Sequence, residues 1–264
     1  DQAHIEYARK LRQSIPEDLY TAAHSVRLSY MLTLALILDR SGQHFERQIN
    51  LVEKRMGAKW SGSAGAYYAD LAKIGAEYRL PLLELAFPAL KRRPASELVF
   101  LADLANRLVE IDGDIDLYEF CFYRILRLNL GHALDPSGSG AQKRNSRNTV
   151  ERAVANVLAI VAQNGHENPA EAQAALDAGK ALLGKGMADA QIDVTQKISV
   201  GTLDQSLDVV LGLSGKGRRT LLLAICETAA HDGRLSVPEG ELIRVICATL
   251  DCPLPPILGD DSCV

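Results

Sequence analysis

Four carboxylates crowd one short stretch: Asp112, Asp114, Asp116 and Glu119. Alternate carboxylates in a loop are how an EF-hand begins to surround a hard cation with oxygen. The rest of that spacing fails. Position six is Leu117 where a glycine must turn the chain, and position twelve is Tyr123 where a bidentate glutamate must close the cage. The same stretch also reads as a capped helix start. Gly113 supplies the left-handed residue that ends one helix, and Asp116 and Glu119 stand at N-cap and N3 of the next.

A second copy lies 120 residues on. Asp232, Gly233, Glu239, Arg244 and Leu250 align without a gap on Asp112, Gly113, Glu119, Arg124 and Leu130. Ser236 takes the N-cap place, and Pro238 falls in the first turn, where its missing N–H costs nothing. Arg234 and Ser236 replace two carboxylates of the first copy, which weakens the metal reading further. A weaker third copy starts at Asp39 with Glu46 seven residues on. Arg124 and Arg244 read as solvated or helix-bridging cations. A structural capped hairpin is therefore the expectation, with Asp112, Asp114, Asp116 and Glu119 held as metal-ligand candidates.

Catalytic signatures are missing from the sequence. The histidines (His4, His24, His44, His132, His166 and His231) form no HExxH, since His166-Glu167 runs into Asn-Pro. There is no Gly-x-Ser-x-Gly elbow, and Gly212-Leu-Ser-Gly-Lys-Gly217 lacks P-loop spacing. It reads as the turn before a helix beginning near Arg218. The basic clusters Lys91-Arg92-Arg93 and Lys216–Arg219 are not interleaved with aromatics, so they read as solvated surface and no nucleic acid is expected. Cys121, Cys226, Cys247, Cys252 and Cys263 form no CxxC pair and read as reduced thiols.

The elements that must position these groups are helices. Three-and-four spacing of apolar residues marks Ile5–Leu11, His24–Leu38, Phe45–Val52, Leu98–Val109, Val150–Val161 and Leu221–Ala230. Ala170–Leu183 is alanine-rich, and Ile192–Leu203 is ambiguous. Ala58–Ala66 reads as a flexible loop. Asp135–Asn148, polar and glycine-rich, reads as a linker. The expected fold is all-α, with halves at 1–134 and 149–264 joined by 135–148. At 47% hydrophobic and 5% aromatic residues, a large helical core fits better than a sandwich. A net charge of −4 implies no broad polyanion-binding face. The longest uncharged apolar run, Leu28–Leu38, is far short of the about 20 residues needed to span a bilayer. The chain begins Asp1-Gln2 and reads as a fragment of something longer.

Three stretches carry a family resemblance: Ser14–Leu19, Tyr78–Leu90, and Leu203–Leu258, above all its part from Asp232 on. Together they resemble the C-terminal region of bacterial HtpX-like integral membrane zinc metallopeptidases. The Asp-Gly…Glu hairpins look like those of TerB-like, tellurite-resistance-type helical domains. The resemblance implies two TerB-like halves forming a non-catalytic regulatory or partner-binding domain. That domain would lie on the cytoplasmic side of the bacterial inner membrane, reached only through an N-terminal protease region. Its partners would be that protease domain and a protein substrate. Zinc would belong to the protease, with no cofactor in this stretch. The alternatives are a free-standing TerB-like stress-response adaptor and a metal-sensing domain.

Overall fold

A computed structural model describes residues 9–135, 145–184, 192 and 194–255. The described residues are helical without a strand, as the apolar spacing requires. The chain divides into two compact units, Asp1–Gly138 and Ser139–Val264.

The first unit contains α1 (Glu17–His24), α2 (Leu28–Ile37), α3 (Phe45–Met56), α4 (Ala58–Leu71), α5 (Arg79–Leu90), α6 (Ala95–Val109) and α7 (Leu117–Leu134). Its centre is α2, buried at every position from Ser29 to Ile37. A helix apolar all round must be surrounded, and α2 packs against α1, α4, α5 and α6. Leu32, Leu34 and Leu36 are fully buried there, each stabilising the fold by about 1.5–3 kcal/mol. Helix α6 in turn carries α7 and touches α3.

The second unit contains α8 (Arg147–Gly165), α9 (Pro169–Ala181), α10 (Val200–Val210), α11 (Gly215–Ala229) and α12 (Val237–Leu250). Helix α8 is its centre and packs against α9, α10, α11 and α12. Helix α11 pairs with α9 and α12. None of the described helices in either unit is long and apolar enough to cross a membrane.

The structure corrects several element boundaries. His24–Leu38 is two helices, because Ser25 turns extended and its Oγ accepts from Leu28 N, starting α2 anew. Ala58–Ala66 is helix α4, not a loop. Gly57, at φ +96°, breaks the chain between α3 and α4. The small residues then let α4 bury Ser61 and Ala64 where it packs on α2 and α3, so tertiary packing overrides propensity. The helix expected near Arg218 starts at Gly215, capped by Ser214 Oγ. Helix α10 starts at Val200, so Ile192 lies outside it. Arg147 and Asn148 belong to α8. Residues 136–144 of the expected linker lie outside the described residues, as do His4, Cys263 and the side chain of His132.

Candidate functional site

The two aligned turns are built alike. Gly113 at φ +85° and Gly233 at φ +75° take the left-handed region that glycine enters without strain. Each donates its N–H back to the end of the preceding helix, at Glu110 O and Ala230 O. Asp112 Oδ1 accepts from Asp114 N at 3.1 Å, and Asp232 Oδ1 accepts from Arg234 N at 2.9 Å. Full capping boxes follow. Asp116 Oδ1 accepts from Glu119 N while Glu119 Oε2 accepts from Asp116 N. Ser236 and Glu239 repeat the exchange at the start of α12.

Asp116 and Glu119 thus direct oxygen atoms at orphan backbone donors. Asp112 instead faces a different loop, its Oδ2 standing 3.3 Å from His44 Nε2. Among the described residues no group of three or more His, Cys, Asp or Glu is arranged to hold a metal ion.

His44 lies in the stretch from Asp39 to Glu46 that the sequence suggests as a third copy. There Gly42, not the residue after Asp39, takes positive φ. Asp39 accepts from Ser41 N and His44 N, both at 2.8 Å. Burial pulls its carboxyl upward, but the bonds from His44 and Ser41 outweigh that and hold it below its ordinary value. This loop lies against the first Asp-Gly turn. Arg47 donates to Ile111 O. Fully buried Gln48 accepts from Asp39 N at 2.7 Å and donates to Leu108 O at 3.0 Å. Tyr118 donates to Leu36 O at 2.7 Å, with the Arg40 guanidinium over its ring. Gln48 and Tyr118 therefore tie four helix ends together. Spacing marks neither of them, because a lone buried Gln or Tyr has no sequence signature.

The second unit holds a counterpart that the pattern of carboxylates does not reveal. Asn164, Gly165, Asn168 and Glu171 keep the spacing of Asp112, Gly113, Asp116 and Glu119, with asparagine replacing aspartate twice. Asn168 Oδ1 caps α9 through Ala170 N, and Pro169 opens that helix. This turn meets the Asp232 turn at close range. Ser236 Oγ lies 3.3 Å from Asn164 O. A Cβ on Gly165 would sit 1.9 Å from Glu239 Oε1, so a side chain there would require the Glu239 carboxylate to move. His166 is buried, with Nδ1 on Ala162 O; among the described residues its Nε2 and Glu239 Oε1 find no hydrogen-bond partner.

Burial raises the Glu119 carboxyl to about 7; the Asp116 N–H pulls it down, and Asp116, Asp112 and Asp39 push it up. Glu239 is also raised, chiefly by burial, against bonds from Ser236 and the charge of His166. The folded state therefore keeps a proton on Glu119 that the unfolded chain has lost between about pH 4.5 and 7. Stability contributed by that proton is full below the window and falls as pH rises through it. Glu119→Gln keeps a capping side chain at N3 and removes the titration. Urea unfolding at pH 5 and pH 7.5 is expected to show a smaller loss in the variant than in the parent. An equal loss in both would show that Glu119 does not titrate in this window.

The other singled-out groups have structural partners. Arg244 is buried and so not solvated, and Arg124 is half-buried. Arg93 pairs with Glu97 and donates to Val26 O at 2.8 Å, holding the α1–α2 corner. Arg218 donates to three carbonyls. Lys91-Arg92-Arg93 and Lys216–Arg219 thus each contain a structural arginine, contrary to the expectation of plain surface. Cys121 and Cys247 are buried, Cys226 and Cys252 half-buried, and none of the four is in a disulfide. Comparison with family models, curated proteins and solved structures gives no match.

Proposed function

We propose that the chain is a non-catalytic regulatory or partner-binding domain attached to a membrane zinc metalloendopeptidase of the HtpX-like kind. One observation carries the reading: Asp116, Glu119, Ser236 and Glu239 bond backbone amides at helix starts. Those side chains bond the starts of their own helices, a structural use of the motif. Two TerB-like halves are supported by the order of packing. In each unit a central buried helix touches the helix that leads into the Asp-Gly turn, and that helix carries the one after it. Zinc then belongs to the preceding protease region, and the partners are that region and a protein substrate at the cytoplasmic face of the bacterial inner membrane.

The test compares the complete gene product with a version lacking this chain. Both are expected to cleave a short peptide in a zinc-dependent way, and only the complete protein to select a membrane substrate. Equal selectivity would overturn the regulatory reading. A gene with no HExxH helix upstream of Asp1 would overturn the attachment and favour the free-standing adaptor.

A further inference from the structure

Two cavities flank Trp60 in the first unit. One, of about 350 Å³, is lined by Tyr30, Arg55, Arg93, Glu97 and Phe100 among others. Its cations have carboxylate partners, Arg55 in Asp103, which Arg107 shares, and Arg93 in Glu97. The other, of about 400 Å³, lies between α2 and α4. Its apolar wall is Leu28, Met31, Trp60, Ala66 and Tyr67, and Arg27 and Lys59 are its cations. Among the described residues no carboxylate stands within ion-pair distance of Arg27 or Lys59. Asp70, which acts on the Tyr67 phenol, is itself paired with Lys73 at 2.7 Å. Asp18 also acts on that phenol but is not in the wall.

The small side chains of Ser63 and Ala66 make the space. The segment with the composition of a flexible loop is therefore a helix with a trough along it. A concave apolar site of this size with a few directed polar groups is the usual form of a small-molecule site. Cations without a carboxylate partner, beside an aromatic wall, select a ligand with an anionic head and an apolar body. We propose that this cavity binds a free anionic amphiphile, an alkyl chain ending in a carboxylate or phosphate, with the chain against Trp60 and Met31 and the head at Arg27 and Lys59. The site is built by the first unit alone and does not depend on an attached protease.

Trp60 is the only tryptophan in the chain, so its emission reports occupancy directly. The full chain is titrated with decanoate below its micelle concentration, with decanol, with inorganic phosphate, and with vesicles of anionic phospholipid. Decanoate is expected to give a saturable blue shift, and decanol and phosphate to bind weakly or not at all. Loss of charge-assisted bonds in Arg27→Gln/Lys59→Gln is expected to weaken decanoate about tenfold or more. Ala66→Phe keeps both charges and fills the trough, so it is expected to abolish the shift. All variants are first checked for an unchanged melting temperature; Lys59→Gln alone, at an exposed position, serves if the double variant melts lower. A response to vesicles without one to decanoate would overturn the proposal in favour of a membrane surface. Equal binding of decanol and decanoate, or decanoate binding unchanged in the charge variants, would also overturn it.

Discussion

Gly179→Ala is expected to destabilise the second unit by about 2–3 kcal/mol, the usual cost of forcing atoms into a packed contact. Alanine in a helix interior is normally favoured over glycine by about 1 kcal/mol, so the sign itself is diagnostic. Gly179 lies in α9 where that helix crosses α11. A Cβ there would stand 2.0 Å from Thr228 Oγ1 and 2.7 Å from Ala224 O. Thr228 is fully buried and already donates to Ala224 O at 2.9 Å, so it has little freedom to move aside. The backbone oxygen cannot move without displacing α11. Adding Thr228→Ala should therefore recover only part of the loss. Gly62 is the control: it lies within α4, and its Cβ would meet nothing within 4 Å. Gly62→Ala is expected to stabilise by about 0.5–1 kcal/mol. Urea denaturation measures both, and two stabilising substitutions would contradict the close crossing.

Arg218→Ala is expected to cost about 3 kcal/mol, most of it from carbonyls left without a donor. The guanidinium donates to Leu211 O at 2.8 Å, Leu213 O at 3.2 Å and Leu250 O at 2.8 Å. Those oxygens lie at or just beyond the C-terminal ends of α10 and α12, where a positive charge also opposes the helix dipoles. One planar fork on α11 thus joins three helices. Arg218→Lys should restore less than half of the loss, because an ammonium on a flexible stem cannot reach three diverging carbonyls. Arg219, its exposed neighbour, should tolerate alanine within about 0.5 kcal/mol. Equal effects at both positions would show that the three bonds do not hold the unit together.

The helical periodicity is legible in the sequence because burial follows it. Leu98, Leu101, Ala102, Leu104, Ala105 and Leu108 all reach the core of the first unit. The capping boxes are legible because their chemistry is local, carried by side chains that bond the start of their own helix. What the sequence hides is tertiary. The run from Ala58 to Ala66 has the composition of a loop, and packing against α2 makes it a helix. Gln48, Tyr118 and Arg218 act across 60, 82 and 32 residues of chain, distances over which no spacing rule operates. The turn at Asn164 is hidden differently. Asparagine caps as well as aspartate does, so a pattern of carboxylates does not include it.

The repeated Asp-Gly…Glu elements act as helix joints, and the proposed non-catalytic role depends on that. The most direct test is the melting temperature of the full chain, followed against calcium and zinc concentration, for the parent, Asp116→Ala, Ser236→Ala and Glu119→Gln. Neither metal is expected to shift the parent, and the two cap removals should each lower stability by about 1 kcal/mol with or without metal. A ligand that binds only the folded state must raise the melting temperature as it saturates. A saturable rise with calcium or zinc that is lost in Glu119→Gln would contradict the joint and make the carboxylates of the first turn a metal site.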